Sequence, residues 1–190
     1  MRAGIGDTGV VMASERLFLA VFPDAAVAGE LAALAAAQYA RHGLPGKPLA
    51  AARLHLTLQF LGDFEGLPAE RVAAVKAASA RVRLPAFELV LDELATFAAR
   101  RRRAPLVLRP GQPCRPLQAL RAQLDERLCA EGLLPPDRQP FEPHLTLGYA
   151  ARAVAPEPVV PISWRVHEFV LVRSLLGQSR YQPLARWPLA

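Results

Sequence analysis

The chain has 190 residues, 52% of them hydrophobic and 21% charged, and a formal net charge of +6. That length fits one domain or two small lobes sharing a core, and the composition excludes a disordered chain or a coiled coil. The positive charge comes from 21 arginines and only two lysines, Lys47 and Lys76, and arginine is the better bidentate partner for phosphate, so an anionic substrate suits the composition.

Residues 1–14 lack a sustained apolar core and read as a disordered extension, leaving residues 15–190 as a single domain. No later stretch reaches the roughly 18 continuous apolar residues of a membrane span. Cys114 and Cys129 match no zinc or redox spacing and read as reduced thiols. These features describe a cytoplasmic protein with no membrane partner.

From Arg16 to Phe22 the sequence is too short and too densely apolar for a surface helix, which predicts a buried strand punctuated by Pro23-Asp24. Asp24 can cap a helix running to about Arg41, with Val27, Leu31, Leu34 and Gln38 along one stripe and Gly43 as the stop. Leu54 to Leu61 is the next strand, ended by Gly62. Pro68 suits the first turn of a second helix, where Val72, Val75, Ser79 and Val82 keep helical spacing. Strands at Phe87 to Leu91 and Pro105 to Arg109 bracket the basic run Arg100 to Arg103, read as a solvated loop. A third helix begins near Pro116, buries Leu117, Leu120, Leu124 and Leu128, and stops at Gly132. After Pro135-Pro136 come strands at Leu145 to Tyr149, Val166 to Arg173 and Arg180 to Arg186. This order predicts an α+β fold with largely antiparallel sheets. Neither GxGxxG nor GxxxxGK[ST] occurs.

Four histidines and four threonines are present, and half of each set sits in two copies of His-Leu-Thr-Leu, at His55 and His144. On a strand, side chains at i and i+2 share a face, so His55 and Thr57 stand opposite Leu56 and Leu58, as His144 and Thr146 stand opposite Leu145 and Leu147. Two such strands can bury their leucines in a core and line one cleft with imidazoles and hydroxyls. Phosphodiester hydrolysis needs one group to take a proton from water and another to give one to the leaving oxygen, and imidazole can do either. The hydroxyls can bind non-bridging phosphate oxygens. A metal site lacks a third ligand: no HxH, HExxH or carboxylate cluster adjoins either copy, so no metal or other cofactor is assigned.

Two His-x-Thr-x motifs, in the contexts RLHLTLQFLGDF and RQPFEPHLTLGYA, together with ERLFLAVFPD at the start and WRVHEFVLVRSLLGQSRYQPLARWPL at the end, resemble the 2H phosphoesterase superfamily. Within it the likeness is to the RNA 2′,3′-cyclic phosphodiesterases, also called 2′-5′ RNA ligases. The resemblance implies a bilobal fold of two antiparallel sheets related by a pseudo-twofold axis, with helices outside and a central groove. It implies hydrolysis of RNA or oligonucleotide 2′,3′-cyclic phosphate ends to 2′-phosphates, by a protein taken to act as a monomer. It assigns His55 as proton donor to the leaving 3′ oxygen, His144 as proton acceptor, and Thr57 and Thr146 as phosphate binders; the residues alone do not distinguish the two histidines.

One position departs from the pattern. Members commonly carry an arginine two residues after the second motif's Thr-Leu pair, where this chain has Tyr149; Arg138 and Arg152 are the candidates to supply that charge at the substrate site. Tyr149 can also stack on a base, whereas Tyr181 and Phe141 read as core aromatics, and His42 and His167, outside any HxT context, read as structural or surface residues. Two rival readings keep the same groove: a phosphodiesterase of a small cyclic nucleotide or ADP-ribose cyclic phosphate, and a non-catalytic module that binds RNA ends.

Overall fold

The computed structural model describes residues 14–97, 104–135, 140–178 and 180–190. Residues 1–13 of the expected extension, the run Arg100 to Arg103 and Arg138 lie outside them. Eight strands, β1 (Glu15–Val21), β2 (Leu56–Phe64), β3 (Phe87–Thr96), β4 (Ala104–Arg109), β5 (Leu145–Ala150), β6 (Glu157–Val166), β7 (Glu168–Leu175) and β8 (Arg180–Pro188), accompany three α-helices, α1 (Ala25–Arg41), α2 (Ala69–Ser79) and α3 (Arg115–Ala130). The strands form one sheet in the order β6-β3-β4-β5-β2-β1-β7-β8, with every pairing antiparallel.

This corrects the expectation of two sheets. The two four-stranded halves are joined where β2 meets β5 through one residue pair, Leu56 with Leu145. A strand–helix–strand unit occurs in each half, β1-α1-β2 in one and β4-α3-β5 in the other. Helices cover one face, where a core continuous across both halves takes Leu31, Ala35 and Tyr39 from α1, Val72 and Val75 from α2, and Leu117, Leu120, Leu124 and Leu128 from α3. Leu56, Leu58, Leu145 and Leu147 are fully buried in it.

Asp24 caps α1 as its sequence predicts, Oδ1 accepting from the Val27 N–H at 2.9 Å. The buried stripe differs from the expected one: Leu31, Ala35, Gln38 and Tyr39 point inward, while Val27 and Leu34 are only partly buried. Gly62 does not end β2. At φ 132° it takes a backbone conformation that suits glycine, and the strand continues to Phe64 beside β1. The sequence reading missed β6, whose Pro158 and Pro161 argue against a strand; β6 lies at the sheet edge, where missing N–H donors are tolerated. Val166 closes β6 rather than opening β7.

β-Bulges decide what faces the groove. In the β1–β2 ladder, Leu58 and Leu61 have no partner of their own, and in the β4–β5 ladder Leu147 has none. Each extra residue resets the alternation, so Phe60 and Tyr149, five residues after their histidines, return to the face that carries histidine and threonine. The Leu147 carbonyl accepts instead from the Leu49 N–H at 2.8 Å.

Gly148 lets Tyr39 reach the sheet. A Cβ there would lie 2.1 Å from the Tyr39 hydroxyl, which accepts from the Tyr149 N–H at 2.9 Å and donates to the Tyr149 carbonyl at 3.4 Å. Gly148→Ala is expected to cost about 1–3 kcal/mol by overpacking. Gly29→Ala, in the interior of α1 with open space around it, is expected to add about 0.5–1 kcal/mol. Denaturant unfolding of the two variants checks this, and shifts of the same sign would contradict it.

Candidate active site

The joining pair places the two motifs. With Leu56 opposite Leu145 in antiparallel register, the adjoining positions on the outer face are His55 with Thr146 and Thr57 with His144. Their leucines are buried, and all four polar side chains stay partly accessible. Beyond Thr57 and His144 the strands separate and open a cleft of about 940 Å³, lined by both of those residues.

The imidazoles are held alike. His55 Nδ1 lies 2.7 Å from the Arg53 carbonyl, and His144 Nδ1 lies 2.7 Å from the Glu142 carbonyl. A carbonyl only accepts, so Nδ1 carries the proton in the neutral rings and Nε2 holds the free lone pair. The sequence contributes this in the two residues before each histidine, whose backbone turns a carbonyl back toward the ring.

The surroundings of the rings differ. His55 stacks on Phe18 at 4.9 Å, meets Tyr181 edge-on at 5.3 Å and lies 5.5 Å from Phe22. His144 has one aromatic neighbour among the described residues, Phe97, edge-on at 4.6 Å. Phe18, Ala20, Val170 and Val172 form a second, small apolar cluster on this face beneath His55. Burial lowers the pKa of both imidazoles below the usual value; for His55 the Arg53 and His144 charges lower it further, while the carbonyl bond opposes the shift in each ring.

Of the expected substrate contacts beyond the motifs, Tyr149 falls, by the bulge at Leu147, on the face that carries the motif histidines and threonines and is 48% exposed. Arg152 does not join it: it lines a separate cleft with His42 and Glu157, at the end of α1. Tyr181, read as core, packs against His55, and Phe141 lines the cleft beside His144. His42 is structural, as read, with Nε2 2.8 Å from Glu157 Oε1. Sequence reasoning missed Arg16, bidentate with Asp63 at 2.7 and 2.8 Å and near enough to Tyr149 and Tyr181 to interact with both electrostatically. It also missed Arg71 and Arg121, which line the cleft from α2 and α3. Helical spacing marks such residues only as polar. Among the described residues no three His, Cys, Asp or Glu side chains gather in a way that could hold a metal ion; Cys114 and Cys129 are both free.

The two His-x-Thr motifs meet at the N-terminal ends of their strands across one groove, the two-motif pattern of the 2H phosphoesterases. The sequence profile of the 2′-5′ RNA ligase superfamily matches residues 23–178, and the chain belongs to that family. It is 38% identical over 148 residues to the RNA 2′,3′-cyclic phosphodiesterase of Escherichia coli, covering 76% of this chain and 80% of the relative. It is 34% identical over 180 residues to the protein of the same name from Thermus thermophilus, covering 85% and 82%. The crystal structure of E. coli LigT with 3′-AMP superposes with a TM-score of 0.74 at 34% identity, over 93% of this chain and 98% of that one.

Both imidazoles are expected to titrate below about 6.5 and to carry their neutral proton on Nδ1 at pH 7.5, measured by ¹⁵N-edited NMR. An Nε2–H tautomer in either ring would contradict the geometry. The unfolded chain binds these protons first, so stability is highest above about pH 6.5 and falls as pH drops through the window between 6.5 and the lowered folded values.

Proposed function

We propose that this chain is an RNA 2′,3′-cyclic phosphodiesterase that leaves a 2′-phosphate and works without a metal ion. The observation that carries the reading is the Leu56–Leu145 pairing, which sets each histidine beside the other motif's threonine across one groove. Curated relatives of the same family at 38% and 34% identity bear that name.

In the proposed reaction His144 Nε2 takes a proton from water as its oxygen attacks phosphorus. His55, protonated on Nε2, donates to the 3′ oxygen as the P–O3′ bond breaks. Thr57 and Thr146 donate to non-bridging oxygens, and five-coordinate charge is stabilised where those hydroxyls already point. The lowered pKa of His55 makes its cationic form a stronger acid, and a bound phosphate anion favours that form. Anchoring at Nδ1 keeps each Nε2 aimed at the groove, so no ring has to reorient between binding and transfer. The reading places the protein in the cytoplasm, where its free thiols stay reduced; no helix among the described residues is long and apolar enough to cross a membrane.

His55→Ala and His144→Ala are each expected to lower kcat by about 10²- to 10⁴-fold, with circular dichroism unchanged, in assays of oligonucleotides ending in 2′,3′-cyclic phosphate. Activity should survive EDTA, and the product should carry a terminal 2′-phosphate. Complete loss of turnover in EDTA would overturn the metal-free mechanism, and a 3′-phosphate product would make the 2′ oxygen the leaving group instead.

A further inference from the structure

The cleft opened by the parting of β2 and β5 is larger than a cyclic phosphate needs. Its volume, about 940 Å³, is at the upper end of the roughly 300–1,000 Å³ typical of sites that enclose a drug-sized ligand. Thr57 and His144 occupy one part of its wall, and the rest is lined by Phe60, Phe141, Arg71 and Arg121.

Both arginines are tied to the backbone that the bulges leave unpaired. Arg121 donates through Nη1 to the Leu58 carbonyl and through Nε to Asp125 Oδ1 at 2.8 Å, and its guanidinium lies 5.0 Å from the Phe141 ring. Arg71 donates through Nη2 to the carbonyls of Leu61 and Leu133 and lies 5.7 Å from the Phe64 ring; its Nε is buried without an acceptor. Nη2 of Arg121 and Nη1 of Arg71 take part in none of these bonds. Phe60 is 50% exposed, and the Arg16 guanidinium lies over its ring at 5.4 Å.

A second cavity, of about 410 Å³, lies behind the Phe22 and Tyr181 rings that pack on His55. Its charged groups are different: Asp24, Glu168 and Arg186, the last already paired with Glu168. Among the described residues its lining offers a polyanion no unpaired arginine, although the Arg53 guanidinium lies over the Tyr181 ring at 5.4 Å. The large cleft carries two arginines against Glu142 at its rim and the Asp125 carboxylate that Arg121 holds.

We propose that the large cleft is a subsite for the nucleotide preceding the one that carries the cyclic phosphate, with Phe60 stacking on its base and Arg71 and Arg121 facing the phosphodiester that joins the two. The inference rests on the RNA-end reading above and specifies its substrate: an oligonucleotide rather than a mononucleotide. Aromatic stacking is tolerant of base identity, so the subsite selects for chain length and leaves sequence open.

The test compares binding of a fluorescent tetranucleotide ending in 2′-phosphate with that of a mononucleoside 2′-phosphate, by anisotropy and competition. The tetranucleotide is expected to bind more tightly, with a salt slope steeper by about 0.7 for the one phosphodiester engaged. Phe60→Ala, at an exposed position that leaves the fold alone, is expected to weaken tetranucleotide binding roughly 5- to 100-fold and to shrink the ratio between the two ligands. Arg71→Gln and Arg121→Gln should each flatten the salt slope, by about 0.7 when the two are combined, and Arg186→Gln should leave ratio and slope as they are. Equal binding of the two ligands, or a ratio that survives in Phe60→Ala and both groove-arginine variants, overturns the subsite. Failure of the wild-type protein to hydrolyse any 2′,3′-cyclic end overturns the functional reading instead, and the binding comparison still decides the cleft.

Discussion

One cross-strand pair, Leu56 with Leu145, holds the two halves of the sheet together, and the groove depends on its being so short. A longer β2–β5 ladder would close the cleft and fill the space between the motifs with backbone hydrogen bonds. Without the pair, the alignment of the two histidine-bearing strands would rest on the core beneath them and on contacts such as that of the Leu49 N–H with the Leu147 carbonyl. Burial of Leu56, Leu58, Leu145 and Leu147 on the helical side supports so short a joint, because the core is continuous beneath it. Burying one leucine contributes about 1.5–3 kcal/mol, so the packing under the joint outweighs the few hydrogen bonds that the parting strands forgo.

Parting two strands leaves backbone groups that need partners. The Leu147 carbonyl is met by the Leu49 N–H, and those of Leu58 and Leu61 by Arg121 and Arg71. A neutral backbone donor serves on one side of the joint and guanidinium groups on the other. The presence of guanidinium groups in the cleft is thus partly a by-product of satisfying the bulged strand. The same two side chains close a structural deficit and set the field that a polyanion would meet.

Much of the site was legible in the residues. The i, i+2 spacing of His55 with Thr57 and of His144 with Thr146 dictates a shared face once each segment is a strand, and the leucines between them can only be core. The four leucines of α3 were equally plain, since each falls on one stripe and each is fully buried. Three things were hidden. The prolines of β6 obscured an edge strand, because a local signal cannot tell an edge position from a break. The union of the halves into one sheet turns on one long-range pair, which no local pattern encodes. The bulges at Leu58, Leu61 and Leu147 shift the alternation after each motif, so simple parity would have sent Tyr149 to the core side. Arg152, close to the motif in sequence, sits instead by His42 and Glu157.

The shifted alternation also separates two kinds of constraint along one strand. Up to the bulge, every second side chain is locked by the core, and the others are the histidine and threonine to which the proposed function gives the chemistry. Past it, Phe60 and Tyr149 stand half exposed at matching places in the two halves, clear of the main core yet bordering the reacting groups. Replacement at either position alters the exposed face without disturbing the core that holds the molecule together. Phe60 and Tyr149 are therefore two places where this framework can vary at the motif-bearing face while its folding stays the same, and under the proposed function they would act as a pair of dials for substrate choice.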